Sequence, residues 1–233
     1  KKVKEFKLFT SIDTWDKDKA EYIRNGLDIE LFKRNFDKYL TEIKDSKLSL
    51  MITFNNLCVT NFDSLLEQIL VWREKYNDKT ARERGNINQP IPLQRIQMDT
   101  PYLKEPPHYD MNILPKDDFT HHMDRHLEFM INSKDDDDNT KFKTIEVEKF
   151  RRVVDYFKSA EVDEDYLRKG RSDFYNFFDE HDRRRDTDFI KAFPEYEEFY
   201  ISCRNNSTKT QRAIRLEQRR AEMMRRKQND KVD

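Results

Sequence analysis

The stretch Leu48-Ser49-Leu50-Met51-Ile52-Thr53-Phe54-Asn55-Asn56 decides the fold. Leu48, Leu50, Ile52 and Phe54 fall on one side of a period-two segment, and Ser49, Met51, Thr53 and Asn55 on the other. That is the pattern of a strand with one apolar face and one mixed face. Upstream, Phe6 to Ile12 alternates in the same way. Between the two, Ile29, Phe32, Phe36, Tyr39 or Leu40, and Ile43 recur at helical spacing, entered through Gly26 and an Asp28 cap. Downstream, Thr60 and Asn61 are placed to cap a second amphipathic helix carrying Phe62, Leu65, Leu66, Ile69, Trp72 and Tyr76. A third strand is expected at Leu93 to Thr100. It follows a polar loop over Asn77 to Pro92 and precedes Pro101, Pro106, Pro107 and Pro115, which exclude helix or central strand.

Strand–helix–strand–helix–strand implies parallel strands joined by crossovers, in a doubly wound sheet or a barrel. Polar residues gather at the C-terminal ends of the strands on one parity, Ser11 with Asp13 and Thr53 with Asn55. α/β folds place ligands at those ends, and the polar parity favours a barrel over a sheet covered on both faces. Three strands cannot close a barrel. The sequence opens without Met and runs directly into a strand, so the partner strands are expected upstream. The fold expected is the C-terminal half of a parallel, partial TIM-like α/β barrel over residues 1–115. A helical extension follows over 116–203, with helical spacing at Asp118 to Ile131, Thr144 to Phe157, Asp163 to Glu180 and Asp186 to Tyr200. A basic tail, helical or disordered, is expected over 204–233, carrying Arg212, Arg215, Arg219, Arg220, Arg225, Arg226 and Lys227.

Among the 233 residues, 39% are charged and 12% aromatic, which points to a core built on rings rather than to a disordered chain. With a net charge of −1, no global electrostatic case exists for nucleic acid or a membrane surface. The basic tail could neutralise phosphates but has no aromatic side chain to stack on a base, which argues against single-strand recognition, and nucleic acid is not the expected partner. Cys58 and Cys203 fit no metal or disulfide spacing, so a reducing, cytoplasmic setting is expected. No apolar run approaches the length of a membrane span.

The run Leu8-Phe9-Thr10-Ser11-Ile12-Asp13-Thr14-Trp15, followed by Ala20-Glu21-Tyr22-Ile23-Arg24-Asn25-Gly26, resembles the mid-barrel strand and turn of radical S-adenosylmethionine (radical SAM) proteins with SPASM or twitch domains. The strand Leu48 to Phe54 with Asn55 and Asn56 is similar to the next barrel strand, and Arg95 to Pro115 to the one after it. The helical segments look like the extension of twitch-containing members found in bacterial and phage sequences. The resemblance covers roughly residues 5–115. It implies reductive cleavage of S-adenosylmethionine by a [4Fe–4S] cluster, giving a 5′-deoxyadenosyl radical that abstracts hydrogen from a peptide or small-molecule substrate. The Cys-x-x-x-Cys-x-x-Cys loop that binds the cluster and the Gly-Gly-Glu strand end are absent, so the cluster ligands would lie outside this chain and the chain alone would be inactive.

By the same resemblance, Ser11 and Asp13 match strand-end positions near the ribose and methionine moiety, Arg24 the carboxylate-binding arginine, and Asn55 a polar strand-end contact. A guanidinium suits a carboxylate because its fork can meet both oxygens. Each position has a plainer explanation: a turn cap for Ser11 and Asp13, a surface ion pair of Arg24 with Glu21 or Asp28, and satisfaction of loop backbone for Asn55 and Asn56. The rival from another functional class is a non-catalytic α/β interaction module with a basic helical tail.

Three further motifs stand out. His122 and His126 share a helical face near His121, with Asp118 as the nearest further ligand, but a solvated helix competes with a metal site. The acidic loop Asp135 to Asp138 lacks the glycine and closing glutamate of a calcium loop. His181-Asp182-Arg183-Arg184-Arg185 offers a run of cations, which Asp179, Glu180, Asp186 and Asp188 would neutralise on a charged interdomain face.

Overall fold

The computed structural model describes residues 6–43, 46–77 and 94–208, together with 212 and 216. Expectations placed on 78–93, Leu93 at the start of the expected third strand among them, and on the tail beyond these residues, Arg215, Arg219, Arg220, Arg225, Arg226 and Lys227 included, lie outside that set. The chain is a mixed α/β protein of two compact units, one comprising 1–104 and 109–161 and the other 105–108 and 162–233. Helices assigned above to an extension from 116 onward are therefore divided. The first two belong with the sheet.

In the first unit, β1 (Phe6–Ser11), β2 (Ser46–Met51) and β3 (Ile96–Asp99) form a parallel sheet in the order β1-β2-β3. Leu8 pairs with Leu48 and Leu48 with Ile96, so the three apolar parities align in register. Two helices, α1 (Lys17–Ile23) and α2 (Ile29–Glu42), connect β1 to β2, and α3 (Phe62–Tyr76) connects β2 to β3. Asp16 caps α1 through Lys19 N, and Asp28 caps α2 through Leu31 N at 2.8 Å. Between them Gly26 sits at φ 81°, a conformation that favours glycine. The sheet does not close on itself, and among the described residues no other strand joins it.

Leu48, Leu50, Ile52 and Phe54 are buried, as the alternation predicts. On the helical side Trp72 stacks on Phe36 at 4.0 Å and meets Trp15 edge-on at 4.6 Å. Phe54, Phe62 and Phe150 form a second ring cluster, with centroids 5.0–5.4 Å apart. Burying each such ring contributes roughly 1.5–3 kcal/mol, so rings supply much of this core. The opposite side of the sheet is a shallow cavity of about 380 Å³ lined by Phe9, Ser49, Met51, Gln97 and Asp99, among others. After β3 come α4 (Lys116–Asn132) and α5 (Thr144–Ser159), which pack on each other.

The two edges of the sheet are finished differently. Along β3, Arg73 of α3 donates from Nε to Ile96 O at 3.2 Å, and Met98 N donates to Glu146 of α5 at 3.4 Å. Arg73 and Glu146 are themselves bidentate, at 2.6 and 3.0 Å. A buried ion pair thus takes the hydrogen-bonding place of a fourth strand. Along β1, Phe6 and Phe9 are 50% and 60% exposed, and no strand pairs its outer edge among the described residues.

The second unit contains α6 (Glu164–Arg185), α7 (Phe189–Ala192) and α8 (Glu197–Asn206). Asp163 caps α6 through Tyr166 N at 2.8 Å, and Asp186 ends it in the left-handed region at φ 54°. The single helix expected over Asp186 to Tyr200 is corrected: it breaks into α7, a 3-10 turn at Pro194–Tyr196, and α8. Pro194 has no N–H to donate and pushes Phe193 out of helical geometry, to φ −130° and ψ 66°. The helical spacing of Phe189, Phe193, Tyr196 and Tyr200 nonetheless gives these rings a common core with Phe174 and Phe178.

Candidate ligand site at the strand ends

The chain leaves β1 through Ile12 and Asp13, turns at Thr14, and enters α1. Arg24 is the C-cap of α1, with its backbone N–H on Ala20 O. This short excursion returns Arg24 to the strand exit, where its Nε donates to Asp13 Oδ2 at 2.8 Å. The partners anticipated for Arg24 are engaged elsewhere: Glu21 accepts from Lys17 and from Ile29 N, and Asp28 caps α2. The Asp13 side chain is 6% exposed and that of Arg24 37%. Burial raises the pKa of the Asp13 carboxyl, and the Arg24 charge and hydrogen bond pull it back in part. Nη1 and Nη2 of Arg24 make no hydrogen bond among the described residues.

Ser11 ends β1 and is exposed. Asn55 is buried, and both ends of its amide serve the turn after β2: Nδ2 donates to Thr53 O at 3.0 Å and Oδ1 accepts from Leu57 N at 2.9 Å. The 3-10 turn Asn56–Cys58 follows. Burial pushes the Cys58 thiol well up, Asp13 pushes it further, and Arg24 opposes, so Cys58 lies within electrostatic reach of both. Asp13, Arg24 and the turn headed by Asn55 therefore meet in one place, at the C-terminal ends of β1 and β2.

A cluster at the end of β3 escaped the sequence reading. Phe54 pairs with Tyr102 beyond the strands, and the 3-10 turn Asn56–Cys58 packs on the turn Met111–Ile113. Asp110 Oδ1 accepts from Asn112 N and Nδ2, and Oδ2 accepts from Tyr156 Oη at 3.0 Å. Burial first, and Asp110 second, push Tyr156 up to about 12. Its ring lies 4.6 Å from that of Tyr102, with Lys104 Nζ over both at 4.6 and 5.6 Å. Asp110 two residues before Asn112 was the legible signal of an Asx turn. The tie to Tyr156, 46 residues away, had no signal in the sequence.

The remaining motifs resolve into structure. His126 is not on a solvated face: it is buried, its Nε2 is 2.8 Å from Val59 O, and its ring meets Phe62 edge-on. Burial lowers it to about 4. Among the described residues no group of three His, Cys, Asp or Glu side chains is placed to hold a metal ion. In the acidic loop the Lys143 ammonium donates to the carbonyls of Asp135, Asp136 and Asp138 at 3.2, 2.9 and 2.9 Å. The centre of that loop belongs to the protein's own cation. In the run His181 to Arg185, Glu180 accepts from Arg183 and Arg184, whose hydrogen bonds hold it down to about 2.

No described helix is long and apolar enough to cross a membrane. Comparison with family models, with curated proteins and with solved structures returns no match.

Proposed function

We propose that this chain supplies the carboxylate-binding strand ends for S-adenosylmethionine in a radical SAM-type enzyme, as part of an open, partial α/β barrel. The observation that carries the reading is Arg24: a half-exposed guanidinium, held by one hydrogen bond at the C-terminal end of a parallel strand, with its Nη pair unengaged among the described residues. Parallel strands with crossover helices, polar side chains of Asp13, Arg24 and Asn55 at the C-terminal ends of the first two, and a shallow cavity over the other sheet face support the barrel.

The residues fit one end of the cofactor and not the cluster. Arg24 can meet the methionine carboxylate through its Nη fork, and the exposed Ser11 hydroxyl is available to a ribose hydroxyl. A [4Fe–4S] cluster takes thiolates, and this chain has two cysteines, both buried, in separate units and with raised pKa values. Bound S-adenosylmethionine supplies the radical chemistry; these residues bind and orient it.

Calorimetric titration of S-adenosylmethionine into the chain and into Arg24→Ala and Arg24→Lys tests the reading. A charge-assisted, bidentate contact is worth roughly 1.5–3 kcal/mol, so Arg24→Ala should lose about ten- to hundredfold in affinity and Arg24→Lys recover little. Absent binding, or affinities within about threefold of each other, would overturn it.

A further inference from the structure

Arg24 can offer a ligand only the donors that Asp13 leaves to it, and this changes what Asp13 itself does. The family resemblance makes Asp13 a contact to the cofactor. Its side chain is almost wholly buried, and a carboxylate there would repel the carboxylate that Arg24 is proposed to receive. Among the described residues its one hydrogen bond to a side chain goes to Arg24 Nε, the donor that an end-on approach to the Nη pair does not use. The arginine stem has several rotatable bonds, and a fork that swings freely loses rotamer entropy when it binds. Pinned at Nε by an acceptor fixed at the exit of β1, the guanidinium keeps its plane before the ligand arrives. Cys58, fully buried beside the pair, keeps its proton because burial and Asp13 push its thiol up, so it adds no charge that competes with Arg24 for Asp13.

We propose that Asp13 is a positioning residue, which holds the Arg24 guanidinium by Nε so that its Nη fork faces the ligand and which does not touch the ligand itself. The inference rests on the S-adenosylmethionine reading of this site and deepens it. The strand-end carboxylate and the arginine at the end of α1 then act as one unit.

The test is a double-mutant cycle on the full chain, with S-adenosylmethionine affinity read by calorimetry and the Arg24 Nε–H followed by NMR. Asp13→Ala should weaken binding about tenfold in the parent and not at all in the Arg24→Ala background, because its effect passes through Arg24. Asp13→Asn, whose Oδ1 still accepts from Nε, should stay within about threefold of the parent. The Arg24 Nε–H signal should exchange faster with water in Asp13→Ala. Equal losses in both backgrounds would make Asp13 a direct contact and sink the proposal, as would an unchanged affinity or an unchanged Nε–H signal in Asp13→Ala. A parent that fails to bind S-adenosylmethionine at all overturns the cofactor reading, and this inference with it; a parent that binds while Asp13→Ala is silent overturns this inference alone.

Discussion

Two arginine–carboxylate pairs in the sheet unit share their chemistry and differ in use. Arg73 is fully buried, and Nε, Nη1 and Nη2 all donate, to Ile96 O, Lys141 O and both oxygens of Glu146. Glu146 also accepts from Met98 N and from Lys143 N. The Arg24 side chain is 37% exposed and, among the described residues, makes one hydrogen bond, to Asp13. The first pair is saturated and seals an edge of the sheet, whereas the second is unsaturated and sits at the mouth of the strand ends. Saturation and burial together mark a structural arginine; an arginine short of partners at a strand exit is available to a ligand.

The largest effect is expected at the sealed edge. Removing one partner of a buried, hydrogen-bonded pair leaves an uncompensated charge, at a cost of about 3–5 kcal/mol. Arg73→Ala or Glu146→Ala should lower stability by that much in urea unfolding. Arg24→Ala should cost about 1 kcal/mol or less, as for a partly exposed pair. A joint replacement, Arg73→Met with Glu146→Leu, should recover part of the loss, because it removes both charges. If Arg24→Ala destabilises as much as Arg73→Ala, the distinction between the pairs fails.

His126 isolates burial without saturation. Its Nε2 pairs with Val59 O, while its buried Nδ1 has no hydrogen-bond partner among the described residues. The folded pKa, about 4, lies below the ordinary 6.5. Above pH 6.5 the ring is neutral in both states and the fold is at full strength with respect to this group. As pH falls from 6.5 towards 4 the unfolded chain takes up a proton that the folded chain refuses, and about 3 kcal/mol is lost. Urea unfolding at pH 7, 5.5 and 4 should show the decline, and His126→Gln should flatten it. An equal slope in the variant would assign the acid lability to other groups.

How much of this was legible follows the range of the interactions. The strand alternation at Leu48 to Phe54 and the helical spacing from Ile29 with its Asp28 cap are local, and both are present in the structure. The break at Pro194 is equally local, since proline has no N–H to donate, but the regular ring spacing on either side of it, which builds a shared core, continues the helical period across it. The Asp13–Arg24 pair spans 11 residues, and the sequence around each member points to a ligand, whereas in the structure each is the other's partner. Arg73 with Glu146, 73 residues apart, left no trace in the sequence. Nothing in a helical period distinguishes an arginine that covers a strand edge from one that faces water. For the same reason the Asp110–Tyr156 tie and the burial of His126 were invisible, since both depend on which helix comes to lie on which turn.

The smallest effect separates saturation from burial. The Lys143 ammonium is saturated by three backbone carbonyls of the loop Asp135 to Asp138, as Arg73 is by its partners, but the residue is only half-buried. Lys143→Met keeps most of the apolar stem and removes the donors. The carbonyls it releases lie near the surface, where water can take the place of the ammonium at little loss, so each bond's net worth is at the low end of its range. The variant should lose about 1 kcal/mol in urea unfolding, against the 3–5 kcal/mol expected for Arg73→Ala. The cap on α5 should survive, because Lys143 donates to Glu146 from its backbone nitrogen at 3.0 Å. A loss as large as that of Arg73→Ala would mean that the number of hydrogen bonds, and not their removal from water, sets the cost. The single bond at Arg24 would then follow from a shortage of acceptors at the strand end and would no longer single that arginine out for a ligand.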